Sequence, residues 1–392
     1  TLFPYTTLFR SYSEGDALLK AFARILEREA PRPVLVARML ADAFLVLFPY
    51  KGKEELVTYC EAYSRALNGF IVSREQNYQL ELRSGICCVE DSDASDINSL
   101  LDRANMALKT IKVKGAAQWK FYDHTMRDKL LREKDLEIRM EKALADGEFL
   151  VYIQPKYWVG TRALAGGEAL VRWKSPDQGF LSPGEFIPLF EKNRFIVKLD
   201  QFMFTSVCGL LRQWLDAGIE PRPLSVNVSR MQFHTPDFVE RYIRIKSQYA
   251  IPDGLLELEF TESIFFDNVA LLSSAVHELR RAGIKCSIDD FGAGYSSLNV
   301  LKALPVSVLK LDGMFFRTAK DDEQAKIVIR NIMRMAGELK MATVAEGVET
   351  HEQVAFLETT GCDIIQGYVF ARPMPAAEFT ELLAGEGGHA ER

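Results

Sequence analysis

Cys286-Ser287-Ile288-Asp289-Asp290-Phe291-Gly292-Ala293-Gly294-Tyr295-Ser296-Ser297-Leu298 is the stretch on which the fold and the chemistry turn. An apolar, alternating run ends in two adjacent carboxylates. A glycine-rich turn follows, and then a helix-like pattern opens on small hydroxyl residues. Two neighbouring aspartates are costly to bury as anions, because like charges raise each other's pKa. A divalent cation removes that penalty, and carboxylate oxygens suit a hard ion such as Mg2+ or Mn2+. Taken alone, the same Asp-Asp pair equally suits a turn that caps a helix. The surrounding chain decides between them.

On both sides of this stretch, from residue 147 to the C-terminus, strand-like and helix-like segments alternate. Strands are expected at 149–154, 163–173, 224–228, 255–260, 285–290, 306–311, 342–345 and 363–366. Helices are expected at 206–217, 237–248, 269–282, 295–303, 323–339 and 352–360, with Gly218, Gly283, Pro305 and Gly361 at the joins. Eight strands with mostly helical crossovers indicate an α/β fold of the β/α (TIM-like) barrel type. An open doubly wound sheet has the same element order, because strand order is not written in the sequence.

Polar residues fall at successive strands. Glu168 lies in the second, Asn227 near the end of the third and Glu259 near the end of the fourth. Asp289 and Asp290 end the fifth, Lys310 comes late in the sixth, Glu346 follows the seventh and Gln366 ends the eighth. In a barrel the carboxyl ends of the strands converge on one mouth. Concentrated carboxylates without histidine point to a two-metal site with oxygen ligands, in which ions about 3.5–4 Å apart stabilise attacking and leaving oxygens at phosphorus.

The bulk numbers set limits. At 392 residues there is room for two domains, and 48% hydrophobic with 26% charged residues is the balance of a soluble globular chain. A net charge of −6 argues against a large surface for a nucleic-acid polymer. No apolar run approaches the roughly 20 residues of a membrane span; the stretch 34–48 is broken by Arg38 and Asp42. The six cysteines form no CxxC pair, so reduced thiols in a cytoplasmic protein are expected. The five histidines do not cluster, which argues against a zinc site.

The first half is α+β. Residues 1–13, beginning TLFPYTTLFRS, read as foreign or disordered sequence with no signal-peptide pattern. From residue 14 to 125, a helix with Leu18, Leu19, Phe22, Ile25 and Leu26 on one side leads to strands at 34–38 and 43–48. A helix at 54–68, a period-2 strand at 78–86 and a helix at 97–110 complete this region. Residues 126–147 form a charged connecting helix, either a solvated linker or a signalling and dimer helix. Residues 386–392 are a tail.

The second half, 148–385, resembles the EAL-type cyclic-di-GMP phosphodiesterases. The resemblance rests on Glu168-Ala169-Leu170 with Val171-Arg172-Trp173, SVNVS (225–229), ELEFTES (257–263), IDDFGAGYSSL (288–298), LKLD (309–312), AEGVET (345–350) and QGYVFARPMP (366–375). The set carries it, since each motif alone is weak. It implies two Mg2+ or Mn2+ ions. Glu168, Asn227, Glu259 and Asp289 would hold one, and Asp289, Asp290 and Glu346 the other. Lys310 would sit beside the attacking water, Glu346 would act as general base, and Gln366 would orient water and substrate. Arg172, Gln154, Asp312 and Glu349 would contact substrate, with a loop role equally open for Glu349. Glu262 would anchor the glycine-rich loop. Glu262 as a helix-start carboxylate, Arg172 as a structural ion pair and Lys310 as a solvated strand end are the plainer alternatives.

Residues 14–123 resemble the second half of a GGDEF (diguanylate cyclase) domain, on GDALL, VAR-MLADAF-LVLF, the strand ending SGIC, LLDRANMALKTIKVKG and FYD. Its signature is eroded: Leu40-Ala41-Asp42-Ala43-Phe44 stands where the family has Gly-Gly-Asp-Glu-Phe. The family's earlier metal-bearing strand and guanine-reading Asn are not found, nor is the inhibitory Arg-x-x-Asp, where Pro31-Arg32-Pro33-Val34 stands. A degenerate, truncated domain without cyclase activity is expected. In the barrel half, Ala293 replaces the family's usual Thr. The expected function is metal-dependent hydrolysis of cyclic di-GMP to linear pGpG, lowering second-messenger signalling, by a homodimer formed through the EAL domain. The alternative is a non-catalytic cyclic-di-GMP receptor that signals by conformational change; such relatives lack several of the acids kept here.

Overall fold

Short strands with alternating inner and outer faces, separated by amphipathic helices, close into a barrel after residue 147. The structure, a computed structural model, describes residues 12–28, 32–73, 80–89, 96–111, 118–262, 264, 269–292, 305–318 and 322–387. The chain divides into two units, Thr1–Lys134 and Asp135–Arg392. The sequence-expected helix at 295–303, together with Ala293 and Tyr295, lies outside the described residues, as does the 1–11 segment.

In the first unit, α1 (Tyr12–Arg28) and α2 (Lys53–Val72) pack over a hairpin of β1 (Leu35–Leu40) and β2 (Ala43–Leu47). A second, parallel pair joins β3 (Ser84–Ile86) to β4 (Trp119–Phe121), with α3 (Ile97–Lys109) beside it. Of the run expected as one strand over 78–86, residues 80–86 are described, and of these only Ser84–Ile86 are strand. Asn68 explains the shortening: its side chain accepts from Leu80 N at 3.0 Å and donates to Leu80 O at 3.2 Å. An amide side chain thus takes both backbone groups that a neighbouring strand would otherwise bond. Helix α4 (His124–Ala145) then runs from the first unit into the second.

The second unit's sheet closes in the order β5 (Phe149–Trp158), β13 (Ile364–Ile365), β12 (Ala342–Ala345), β11 (Val308–Leu311), β10 (Lys285–Phe291), β9 (Leu256–Thr261), β8 (Leu224–Asn227), β6 (Leu164–Ser175) and back to β5. All eight strands lie where the sequence places them. Their alternation explains the closure. On β9, Leu256, Leu258 and Phe260 join the apolar cluster against the helices, and Glu257 and Glu259 take the opposite, inner face. Cys286 and Ile288 repeat this on β10, with Ser287 and Asp289 inward. The outer ring includes α6 (Ile196–Asp216), α7 (Phe238–Gln248), α8 (Val269–Arg281), α10 (Glu323–Glu338) and α11 (His351–Glu358), α9 being the short turn Met314–Thr318.

One strand departs from an all-parallel barrel. β5 is antiparallel to both neighbours, β6 and β13. Only residues 159–163 join β5 to β6, too few for a parallel crossover, which needs a dozen or more. Gln154 therefore reaches the interior from mid-strand, paired opposite Glu168. β6 pairs with β8 only over Gly167–Ala169; its later residues run on beside β5 and the short β7 (Gly179–Leu181). An aromatic cluster of Phe149, Trp173, Phe186, Phe190 and Phe195 fixes this extension to α5 (Pro183–Lys192) and the start of α6. Ser182 and Glu185 form a capping box at the start of α5, and Trp173 Nε1 donates to Glu148 at 2.7 Å.

Trp173 is fully buried, so Trp173→Ala is expected to lower the stability of the barrel unit by about 3–5 kcal/mol. The shift of its urea midpoint measures this; a loss below about 1 kcal/mol would show that the extension holds without the aromatic cluster.

Candidate active site

Lys310, 1% exposed on β11, is the hub of the barrel's inner face. Its Nζ lies 2.5 Å from Glu346 Oε1, 2.6 Å from Glu259 Oε2, 3.0 Å from Asp289 Oδ1 and 3.6 Å from Glu168 Oε2. The parallel register of β9, β10, β11 and β12 stacks these positions at one end of the strands. An ammonium has three protons, so it cannot satisfy four carboxylates at once.

The remaining polar residues tie into the same cluster. Asn227 Nδ2 donates to Glu168 Oε1 at 2.7 Å, and Gln366 Nε2 donates to Glu168 Oε2 at 2.6 Å and Gln154 Oε1 at 3.1 Å. Asp290 stands beside Asp289 with φ of +54°, a left-handed conformation that side chains other than glycine's rarely adopt. Asp312 hydrogen-bonds Asp290 and accepts from Met314 N at 2.6 Å. Glu262 Oε2 accepts from Gly292 N at 3.0 Å, where the glycine-rich turn begins. Gly292 has φ of +94°, and a Cβ there would meet the Phe315 ring at 2.1 Å. Arg172 lies with its guanidinium 5.5 Å from the Tyr152 ring centre and donates to Val171 O. Glu349 is exposed ahead of α11, its backbone N–H on Gln353. Neither Arg172 nor Glu349 is among the partners of Lys310.

Charge explains the protonation pattern. Burial pulls the Lys310 ammonium down, but Asp289, Glu168, Glu259 and Glu346 outweigh it and hold its pKa well above the ordinary lysine value. Burial pushes Glu346 well above the usual carboxylate range despite Lys310, and it raises Glu168, with Glu259 adding to that. Glu259 goes the other way. Burial would raise it, yet the Lys156 and Lys310 ammoniums bring it down to about 2. Burial, then Asp289 and Asp312, push Asp290 up to about 6.

The residues fit divalent cations. Asp289, Asp290 and Glu346 each offer a carboxylate oxygen within 4.8 Å of the others. The buried Gln366 Oε1 has no hydrogen-bond partner. Among the described residues, six acids (Glu168, Glu257, Glu259, Asp289, Asp290, Glu346) share the inner face with two ammoniums, Lys156 and Lys310, so acids outnumber cations there. Beside it opens a cavity of about 660 Å³, lined by residues that include Leu170, Arg172, Ile187, Asp200, Asn227 and Asp290.

Sequence reading passed over three of these features. Lys156 is buried on β5 and donates to Ser225 Oγ at 2.7 Å and Glu259 Oε1 at 3.0 Å. The signal was its spacing: Gln154 and Lys156 share one face of the strand. Ser225 is buried two residues before Asn227 on the same face. Asp200 on α6, pushed by burial to about 7, accepts from Ser229 N at 3.0 Å and Gln232 Nε2 at 3.2 Å, holding the turn after Asn227. Nothing local in the sequence links residue 200 to residue 229.

Comparison with known proteins finds relatives for both halves of the chain. The family model described as EAL domain matches residues 138–373, and that described as diguanylate cyclase, GGDEF domain, matches residues 12–118. The bifunctional diguanylate cyclase/cyclic di-GMP phosphodiesterase MucR of Pseudomonas aeruginosa is 30% identical over 371 residues, covering 94% of this chain and 54% of MucR. The cyclic di-GMP phosphodiesterase PdeR of Escherichia coli is 30% identical over 377 residues, covering 93% and 55%. The chain spans about half the length of the curated relatives it matches. Among solved structures, the PaMucR phosphodiesterase in complex with c-di-GMP matches with a TM-score of 0.59 at 35% identity, over 62% of this chain and 99% of that one.

Because the Asp290 carboxyl is raised to about 6, the folded chain holds that proton more tightly than the unfolded chain does. The stability this gives is present below the ordinary carboxylate range and is lost as pH rises through about 6. In chelator-treated protein, Asp290→Asn is expected to raise the melting temperature by about 2–4 °C at pH 8 and to change it little at pH 4. Equal shifts at both pH values would count against the strained, proton-hungry Asp290.

Proposed function

The chain belongs to the EAL domain family, with a GGDEF-family region ahead of it, and on that premise we propose that its barrel hydrolyses one phosphodiester bond of cyclic di-GMP to give linear pGpG. The observation that carries this reading is Lys310 held among Glu168, Glu259, Asp289 and Glu346, a buried site with more acids than cations. Such a concentration of acids around one buried cation suits metal-assisted hydrolysis better than binding alone. Uncatalysed phosphodiester cleavage is slow enough that the site must lower the barrier by roughly 20 kcal/mol.

Asp289, Asp290 and Glu346 would hold one Mg2+ or Mn2+, and Glu168, Asn227, Glu259 and Asp289 a second. When bound, such ions neutralise charge on the phosphate and make water a stronger nucleophile. The chain's own residues do the rest. Arg172, at the cavity wall, grips a non-bridging phosphate oxygen, as a guanidinium can with paired hydrogen bonds. Gln366, fixed through its amide nitrogen on Glu168 and Gln154, turns its free Oε1 to the attacking water. The Glu346 carboxylate takes the proton as the water oxygen bonds to phosphorus. The P–O3′ bond breaks, and the departing 3′-oxygen takes up a proton from solvent, balancing the one passed to Glu346. Lys310 offsets the charge that gathers on the phosphorane oxygens. Glu349 and Asp312 serve the substrate at the rim, and Glu262 holds the start of the glycine-rich turn through Gly292. The protein acts in the cytoplasm as a homodimer through the barrel domain.

The first unit is taken to regulate rather than to cyclise. Leu40 is 78% exposed at the hairpin turn where the GGDEF signature would lie, and Ala41 there has φ of +48°, a conformation suited to glycine. Ala43 offers no carboxylate. These features support the absence of diguanylate cyclase activity.

Incubation with cyclic di-GMP and Mg2+ or Mn2+ should yield pGpG by chromatography, and excess EDTA should abolish it. Glu168→Ala and Asp289→Asn should each lower kcat by at least about 10³-fold, the scale of losing a group that acts on the transition state. Binding of cyclic di-GMP without product, or turnover surviving either change, would favour the receptor instead.

A further inference from the structure

Lys156 is a buried ammonium to which the proposed chemistry gives no task. It lies two residues from Gln154 on β5, so both side chains share the barrel's inner face. Its Nζ donates to Ser225 Oγ at 2.7 Å and to Glu259 Oε1 at 3.0 Å. The other oxygen of Glu259 accepts from Lys310 at 2.6 Å. Glu259 therefore has an ammonium on each oxygen, one from inside the barrel and one from the cluster at its mouth. Glu257 lies on the same inner face of β9, two residues before Glu259.

We propose that Lys156 is a positioning residue that weakens cation binding by the Glu168, Asn227, Glu259 and Asp289 set, making it the looser of the two metal positions. The inference rests on the reading that this cluster holds two divalent ions. A carboxylate oxygen already paired with an ammonium has less negative charge to offer a metal, and a buried positive charge repels an approaching cation in a low-dielectric interior. Asp289, Asp290 and Glu346 have no contact of this kind with Lys156, so the effect is one-sided. Partners that touch a ligand without touching the metal commonly move affinity by about 10–100-fold. The consequence is an enzyme whose second ion exchanges readily while the first stays in place.

Calorimetric titration of the full chain with Mn2+, in the absence of substrate, tests this. The parent should show two steps of unequal affinity. Lys156→Met and Lys156→Gln should both tighten the weaker step at least about tenfold and the stronger step by less. Lys156→Arg, which keeps the charge, should retain the unequal pair. Gln preserves hydrogen bonding to Ser225 and Glu259 without the charge, so it carries the test if the methionine variant does not fold. Folded variants whose weaker step is unchanged within about twofold, or loosened, would overturn the proposal, because Lys156 would then serve packing or ligand geometry alone. A parent protein that takes up no Mn2+ would overturn the metal reading and this inference with it.

Discussion

An ammonium buried among several carboxylates is the constraint around which the barrel is arranged. Lys310 cannot leave water without partners, and Glu168, Glu259, Asp289 and Glu346 cannot be brought together without a cation. Each side makes the other's burial tolerable, and neither is fully satisfied. That residual imbalance distinguishes the interior from an ordinary barrel core of branched apolar side chains. Here the apolar residues of β9 and β10 face the helices, and the interior is left to Glu257, Glu259, Ser287 and Asp289. Stability therefore comes from the layer between strands and helices, and chemistry from the layer inside.

The same imbalance separates roles among chemically identical groups. Glu259, with an ammonium on each oxygen, is held as an anion. Glu346, on the far side of Lys310, has burial against it and so prefers to hold a proton. Two glutamates in one cluster thus reach opposite protonation preferences through their surroundings.

Much of this was legible in the sequence, for identifiable reasons. Strand positions were readable because alternating runs such as Leu256–Thr261 and Lys285–Phe291 carry polar and apolar faces in period two. The acids could be noticed because they interrupt such runs near the ends. Strand direction was not readable from those runs: that β5 lies antiparallel follows from the short connection at 159–163 and from closure of the ring. Residues 80–83 read as strand by pattern and are not, because the Asn68 side chain had already taken the backbone groups of Leu80. Lys156 looked like one lysine among many, since only folding shows that its neighbours are Ser225 and Glu259.

The reversed direction of β5 also decides where the polypeptide comes aboard. In an all-parallel barrel the chain would enter at the floor, a full strand's length from the reacting groups. Here Phe149 starts level with Trp173, on the side where the parallel strands finish, and the chain then descends past Gln154 and Lys156. The backbone just upstream of Phe149 thus meets the rim first, with only four residues between Phe149 and Gln154. The doorway to the barrel and its working end are the same place.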